Sequence, residues 1–196
     1  MMLRLLSLLM FGLAPALVGC GQPAASPPAP SPSAKADTPG FVLTSPAFKN
    51  DEAIPMKYTR DREGFNPRLD WKGAPAGTKE FALVMDDPDA PGGVFTHWVI
   101  YKIPADMNSI PEDVPMLETV PSYLRSAMQG KTSDNDVGYF PPSPPPGRVH
   151  HYVFHFYALD KPLPVSPDMT ADDLRKAMSG HVLAVAELTG TYQRPR

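Results

Sequence analysis

The distribution of proline constrains the fold of this chain more than any other feature of its sequence. Proline makes up 26 of the 196 residues, and much of it lies near the N-terminus and around residues 141–146. From Phe41 onward the apolar runs are short, and turn-forming residues separate them. Because proline lacks the N–H that helix interiors and central strands need, this pattern favours many short strands joined by turns.

Five stretches have the composition of β-strands, with apolar, β-branched and aromatic residues that end at turn signals. In the long stretch 149–159, alternation places His150 and Tyr152 on one side with Phe154 and Phe156, and His151 on the other. The predicted strands span residues 41–44, 81–85, 97–103, 149–159 and 182–192.

One helix is predicted close to the C-terminus. Thr170 is a good N-cap, Asp173 completes a capping box, and Gly180 ends the helix. Leu174 and Met178 belong to its apolar face. Many strands, a single clear helix and abundant proline turns together predict a mostly β sandwich.

The N-terminus has the pattern of an export signal. After Arg4, an apolar run of about 14 residues is too short to span a membrane, which takes roughly 20. It matches the hydrophobic region of a secretory signal. The run ends in Leu17-Val18-Gly19-Cys20, which closely resembles the lipobox of bacterial lipoproteins.

Cys20 is therefore predicted to carry fatty acyl chains such as palmitate, with residues 1–19 removed as a lipoprotein signal peptide. A plain signal peptide with an accidental cysteine is the alternative. Residues 20–40, rich in Pro, Ala and Ser, are predicted to be a disordered tether, and residues 41–196 a globular domain. Each buried acyl CH₂ contributes about 0.8 kcal/mol to a membrane anchor.

The predicted localisation follows from that anchor. The protein is expected to be exported and lipid-anchored in the cell envelope. By resemblance to lipoproteins of diderm bacteria, Gly21 after the cysteine favours the periplasmic face of the outer membrane, if the organism has one.

Composition excludes several classes of function. The formal net charge is -3 and no basic stripe is present, so a nucleic-acid partner is not expected. Cys20 is the single cysteine, which excludes an intramolecular disulfide and a cysteine-based metal site.

Three groups of residues could form a polar site. Asp87 and Asp89 follow an apolar strand, His97 opens the next strand, and His150 lies at the start of the aromatic strand. Imidazole N–H groups can donate to an anionic oxygen, and a carboxylate can fix a histidine tautomer. Taken alone, Asp-Pro-Asp is first a turn, and a single histidine at a strand start is more often structural. His155, His181, Trp71 and Trp98 are interpreted as structural residues.

The order of these motifs resembles the phosphatidylethanolamine-binding protein family, and most closely its bacterial Raf-kinase-inhibitor-like branch. The resemblance covers about residues 41–194 and rests on several motifs. They are residues 87–91, 97–101, the proline-rich loop, Gly-x-x-His-x-Tyr at 147–152, Asn66-Pro67-Arg68-Leu69-Asp70-Trp71, and the ending 180–192.

The resemblance implies a β-sandwich with a few peripheral helices and a small anion pocket. Asp87, His97 and His150 match the positions of that pocket, with Asp89, Pro91 and Tyr152 beside them. Pro142 is expected in the pocket wall. Two pairs of prolines fit the family's wall positions there, either Pro141 with Pro142 or Pro144 with Pro145. One departure is His151, where the family usually has an arginine that supports the neighbouring loop.

The expected function is that of a binding or regulatory module rather than an enzyme, with no cofactor and no metal. Its expected partners are a small phosphorylated or carboxylated ligand such as a phospholipid head group, and the membrane through lipidated Cys20. Two alternatives remain open at this point. One is a metal-assisted hydrolase that uses Asp87, His97 and His150. The other is an envelope protease inhibitor or scaffold with a protein partner.

Overall fold

The computed structural model describes residues 40–164 and 166–196. The predicted signal peptide, the acylated Cys20 and all but the last residue of the predicted tether lie outside the described residues. Within the described ranges, no helix is both long enough and apolar enough to cross a membrane.

The described chain folds into strands with one α-helix, α1 (Ala171–Met178). Two short 3₁₀ helices lie at Met56–Tyr58 and Ser122–Leu124. The strands are β1 (Val42–Thr44), β2 (Glu52–Ala53), β3 (Leu69–Lys72), β4 (Glu80–Asp87), β5 (Phe95–Pro104), β6 (Ser109–Ile110), β7 (Met128–Gln129), β8 (Val149–Leu159) and β9 (Val182–Gln193).

The strands form two sheets. The smaller sheet has the order β1-β3-β6, and the larger has the order β2-β9-β8-β4-β5-β7. Neighbouring strands run antiparallel except β2, which runs parallel to β9. This architecture confirms the predicted mostly β fold with few helices.

The main core lies between the two sheets and is rich in aromatic side chains. Trp71 of the small sheet packs against Phe81 and Phe156 of the large one, with ring centroids 5.4 and 4.5 Å apart. Phe41, immediately before β1, stacks on Phe81 at 6.1 Å. Burying each of these side chains removes about 150–250 Å² from water, and this burial holds the sheets together.

A second core covers the other face of the large sheet. Val84 and Val99 pack there with Leu174 and Met178 of α1. Because the sheet is buried on both faces, every residue of β4 is buried, which explains the continuous apolar run at residues 81–85.

The helix forms as its capping residues predict. Thr170 Oγ1 accepts the N–H of Asp173 at 3.2 Å, and Asp173 Oδ2 accepts the N–H of Thr170 at 3.1 Å. Leu174 and Met178 are fully buried, and Gly180 follows the helix with φ of 78°. The predicted capping box and apolar face are both confirmed.

The predicted strands are all present, but two of them extend further toward the candidate site. β4 continues through Asp86 and Asp87, and β5 begins at Phe95, because these ends pair with each other. Asp87 therefore lies in a strand rather than in the following turn, and His97 is the third residue of β5 rather than its first.

Candidate functional site

The predicted polar residues surround a cavity of about 280 Å³ at one end of β4, β5 and β8. Five of the seven predicted ligand-binding residues line it: Asp87, Pro91, His97, His150 and Tyr152. The other lining residues are Arg60, Ala90, Phe95, Asp134, Phe140, Ser143, Pro144 and Pro145.

Asp87 and His150 form a buried pair in the cavity wall. The Nδ1–H of His150 donates to Oδ2 of Asp87 at 2.7 Å, and both side chains are almost inaccessible to solvent. The second oxygen of Asp87 accepts the N–H of Asp89 at 2.8 Å. This arrangement sets the tautomer of His150 and leaves its Nε2 for a bound group.

His97 reaches the cavity because of an irregularity in β5. Met85 pairs with Trp98, and Asp86 pairs with Thr96, so His97 is an extra residue between two successive pairs. Strict alternation would place His97 on the side opposite to Trp98. The extra residue lets its ring meet Tyr152 edge-on, with centroids 5.1 Å apart.

The proline-rich loop fixes the position of His97 through two hydrogen bonds. Nδ1 of His97 donates to the carbonyl of Phe140 at 2.8 Å, and the N–H of Phe140 donates to the carbonyl of His97 at 2.7 Å. Burial lowers the pKa of His97, although the carbonyl of Phe140 and the charges of Asp87, Asp86 and Asp134 act in the opposite direction. At neutral pH its Nε2 is therefore a hydrogen-bond acceptor.

Tyr152 contributes a hydroxyl that has no partner. The side chain is fully buried, and among the described residues nothing accepts or donates a hydrogen bond at its oxygen. Burial, followed by the charge of Asp87, raises the pKa of Tyr152, so the hydroxyl keeps its proton. A buried unpaired hydroxyl costs about 1–3 kcal/mol, and a ligand oxygen in the cavity would satisfy it.

Asp89 does not line the cavity. It instead bonds to His151 and so supports the β4–β5 loop. Its Oδ2 accepts the backbone N–H of His151 at 2.9 Å and Nδ1–H of the same ring at 2.7 Å. These bonds lower the pKa of Asp89 and join the β4–β5 loop to β8. His151 thus contacts that loop directly, although it lacks the planar fork of an arginine.

Pro142 does not line the cavity, whereas Pro144 and Pro145, the other pair that fits the resemblance, do. Pro142 is buried, and its carbonyl accepts the N–H of Arg60 at 3.0 Å. Its backbone therefore anchors the loop, and the chain turns far enough beyond it for the later prolines to face the cavity.

Charged groups at the cavity differ in depth. His97, His150 and Asp87 are buried, whereas Arg60 and Asp134 are exposed. Sequence reasoning missed both exposed residues. Arg60 belongs to a charged run and Asp134 to a polar turn, and neither has a periodic pattern that distinguishes it from a solvated surface.

The arrangement does not resemble a metal centre. Across the described ranges, no group of three or more His, Cys, Asp or Glu side chains is placed to hold a metal ion. The Asp87 oxygen and the Nδ1 of His150 already bond to each other. The metal-assisted hydrolase alternative thus receives no support from this geometry.

Sequence comparisons show relatives that match most of the chain. The family model described as phosphatidylethanolamine-binding protein matches residues 44–193. A UPF0098 protein of Methanothermobacter thermautotrophicus is 43% identical over 152 residues, which cover 78% of this chain and 98% of the relative. A UPF0098 protein of Aquifex aeolicus is 41% identical over 152 residues, or 76% of this chain and 86% of the relative.

Two solved structures share the fold. A phosphatidylethanolamine-binding protein homologue from Chlamydia trachomatis has a TM-score of 0.72 and 33% identity, over 80% of this chain and 99% of that one. Escherichia coli YbcL, described as a member of the mammalian phosphatidylethanolamine-binding protein family, has a TM-score of 0.73 and 30% identity, over 79% and 99%. The matches cover nearly the whole length of both solved chains.

Proposed function

Since this chain belongs to the phosphatidylethanolamine-binding protein family, we propose that its cavity binds the phosphate or carboxylate of a small ligand such as a phospholipid head group. In this proposal the protein is a binding module and not an enzyme. Cys20 tethers it to a membrane of the cell envelope, where it acts on ligands or partners close to the lipid surface.

The hydroxyl of Tyr152 carries the proposal. Tyr152 lines the cavity, and its hydroxyl is a buried donor that has no partner in the described part of the chain. Native proteins rarely keep such groups, because each one lowers the free energy of unfolding. An anionic oxygen in the cavity would accept this hydrogen bond and offset the lowered free energy of unfolding.

The histidines suit the same ligand. Nε2 of His150 donates to an anionic oxygen when the ring is protonated, and Nε2 of neutral His97 accepts from a ligand hydroxyl. A singly protonated phosphate offers both oxygens that accept and one that donates. Each oxygen of the Asp87 carboxylate already accepts a hydrogen bond, and protonation of His150 balances its charge, so the pair then carries no net charge that opposes the ligand.

The size of the cavity agrees with a head group rather than a large molecule. Its volume of about 280 Å³ lies below the usual range for drug-sized ligands, which is about 300–1,000 Å³. Its wall includes apolar Phe95, Phe140 and Pro91, which can contact the carbon atoms next to the anion.

A histidine double variant tests this function. His97→Gln with His150→Gln should abolish calorimetrically measured binding of ethyl phosphate, because both ring nitrogens that face the ligand are lost. His181→Gln is the matched control, since His181 pairs with Asp160 outside the cavity and its loss should leave affinity unchanged. Equal binding by the double variant, with the fold intact by circular dichroism, would exclude the cavity as the anion site.

A further inference from the structure

Arg60 lies at the cavity mouth without a carboxylate partner. Its guanidinium carbon is 4.7 Å from the centre of the Phe140 ring, which also lines the cavity. Within the described residues, no salt bridge or side-chain hydrogen bond involves this guanidinium. A cation placed over an aromatic face is held in position while its N–H groups stay available.

Three other described arginines, Arg62, Arg148 and Arg196, also form no salt bridge, but none of them lines the cavity. The remaining arginines of the domain are paired. All four bond to carboxylates on the protein itself: Arg68 with Asp70, Arg125 with Asp106, Arg175 with Asp86, and Arg194 with Asp61. The aromatic contact of Arg60 positions a charge at a cavity without neutralising it. Such a charge is available to a ligand.

Asp134 supplies the opposite charge at the same mouth. It lines the cavity, it is exposed, and it forms no salt bridge with Arg60 or with any other described residue. Its charge acts on His97 across the cavity, where it favours a higher pKa of that ring. The mouth thus offers one unpaired cation and one unpaired anion beyond the buried donors.

We infer that Arg60 and Asp134 recognise the carboxylate and the ammonium of a ligand whose phosphate lies deeper, against Tyr152, His97 and His150. The ligand class is therefore a phosphate ester of a serine-type amino acid, and a simple phosphorylated amine such as ethanolamine binds less tightly. This inference rests on the proposed function, because it places the phosphate in the cavity described above.

The difference in burial between the inner residues of the cavity and those at its mouth determines how the ligand is oriented. Tyr152, His97 and His150 are buried at 0, 4 and 2% exposure, so their polar groups suit the compact, fully desolvated end of the ligand. Arg60 and Asp134 are exposed and suit the charged end that remains partly in water. A carboxylate and an ammonium on one carbon atom supply both charges at that end.

Four phosphate esters separate these contributions in calorimetry on the full-length protein. Ethyl phosphate carries neither extra charge, 2-aminoethyl phosphate carries the ammonium, 2-carboxyethyl phosphate carries the carboxylate, and O-phospho-L-serine carries both. We expect O-phospho-L-serine to bind tightest. Arg60→Gln should weaken the two carboxylate ligands about tenfold and the other two less than about threefold.

The second substitution has the complementary pattern. Asp134→Asn should weaken O-phospho-L-serine and 2-aminoethyl phosphate by about fivefold and should leave ethyl phosphate unchanged or slightly tighter. Arg62→Gln and Asp136→Asn are the matched controls. They remove the same charges from the same loops at exposed residues that do not line the cavity, and neither should change the ligand ranking.

Two outcomes overturn the inference while the proposed function stands. One is equal affinity of wild type for all four esters. The other is an equal loss with Arg60→Gln and Arg62→Gln for every ester, which would mean general charge attraction. If none of the esters binds wild type, both the proposed function and this inference fail.

A competition experiment identifies the source of the serine group. Vesicles that contain phosphatidylserine are added to the complex with O-phospho-L-serine, and vesicles of phosphatidylcholine serve as control. Because the phosphate lies at the deep end, where the glycerol of a diester has no exit, we expect no displacement by either kind of vesicle, which indicates the free phosphorylated amino acid. Displacement by the first vesicles alone would indicate a lipid head group and contradict this placement of the phosphate. Equal displacement by both would contradict recognition of the carboxylate.

Discussion

At the scale of single residues, Tyr152 and Tyr139 differ in one contact. Both are buried tyrosines near the cavity, and burial raises the pKa of each hydroxyl. The hydroxyl of Tyr139 donates to the carbonyl of Tyr58 at 2.9 Å, whereas that of Tyr152 has no partner in the described chain. The first hydroxyl bonds within the fold, whereas the second is an unpaired donor in a residue that lines the cavity.

Replacing Tyr152 with Phe should therefore separate stability from binding. Removal of an unpaired buried hydroxyl should raise the free energy of unfolding by about 1 kcal/mol, and loss of the donor should weaken ethyl phosphate about fivefold. Tyr139→Phe should do the reverse, with a stability loss of about 1 kcal/mol and unchanged affinity. Thermal unfolding and calorimetry measure both. A destabilised Tyr152→Phe variant would show that the hydroxyl is satisfied within the fold.

The lowered pKa of His97 predicts how the affinity for an anion depends on pH. Burial lowers its pKa below the ordinary value of 6.5, so the free protein holds this ring neutral at pH 7. An anion favours the protonated ring, so binding takes up a proton and affinity increases as pH falls. For ethyl sulfate, which carries no titratable proton, affinity should level off only below pH 6.5, once His97 is protonated in the free protein.

Ethyl phosphate should behave differently in the same titration, since the phosphate itself gains a proton near pH 6 and can donate it to neutral His97. Its affinity should already rise between about pH 7 and 6. Calorimetry in buffers of different ionisation enthalpy measures the proton uptake directly. No uptake with either ligand would exclude a role for His97 in the contact.

At the scale of elements, the β4–β5 loop is the part of the cavity wall that Asp89 joins to β8. It carries Ala90 and Pro91 of the cavity wall, and Asp89 joins it to β8 through two hydrogen bonds from His151. The strands on either side are buried and paired, so this junction determines the position of the wall.

Asp89→Ala should loosen the loop without unfolding the sheet. Amide hydrogen exchange in residues 89–93 should become faster, and ethyl phosphate should bind about threefold more weakly because part of the wall is no longer fixed. Asp160→Ala is the control, because Asp160 likewise accepts from a histidine Nδ1, at 3.0 Å, but at the opposite end of β8. Similar exchange in both variants would mean that His151 does not hold the loop.

At the scale of the whole molecule, the two cores explain how a cavity can exist in a stable domain. One core joins the sheets and the other joins the large sheet to α1, so the end of β4, β5 and β8 is supported from both faces. Asp86 and Asp87 show this directly, since they are adjacent yet face opposite sides. Asp86 bonds to Arg175 of α1, and Asp87 bonds to His150 at the cavity.

The predicted tether is tested on the whole protein in its cell envelope. Cys20→Ala removes the only thiol that an acyl chain could modify, so the protein should leave the membrane fraction and lose incorporation of labelled palmitate. Affinity for ethyl phosphate should stay the same, because the cavity is built from residues far along the chain. Continued anchoring of the variant would contradict the lipoprotein interpretation.

Much of the fold could be predicted from local pattern. The alternation in residues 149–159 placed His150 and Tyr152 on the same side as Phe154 and Phe156, and this side is buried in the structure. Thr170 with Asp173 placed the start of the helix. Both features depend on neighbouring residues within one element, so short-range rules suffice. Strand ends were less accurate, since Asp86 and Asp87 extend β4 only because β5 offers partners.

The cavity wall was the least predictable part. Pro142 and Pro144 are two residues apart in a proline-rich loop, and only the path of that loop against Arg60 and His97 decides which ring faces the cavity. Arg60 and Asp134 have no sequence pattern in common, and they meet at one mouth because separate loops converge there.

By itself, the sequence determined the mostly β class, the capped helix, the buried side of β8 and the residue types from which an anion site could be made. Periodicity and turn chemistry act between near neighbours, so they are readable in a linear chain. Only the tertiary structure decided that His97 turns toward Tyr152 through an extra residue in β5, and that the Tyr152 hydroxyl is left unpaired. Those outcomes depend on strand register and on contacts between distant segments, which local pattern does not specify.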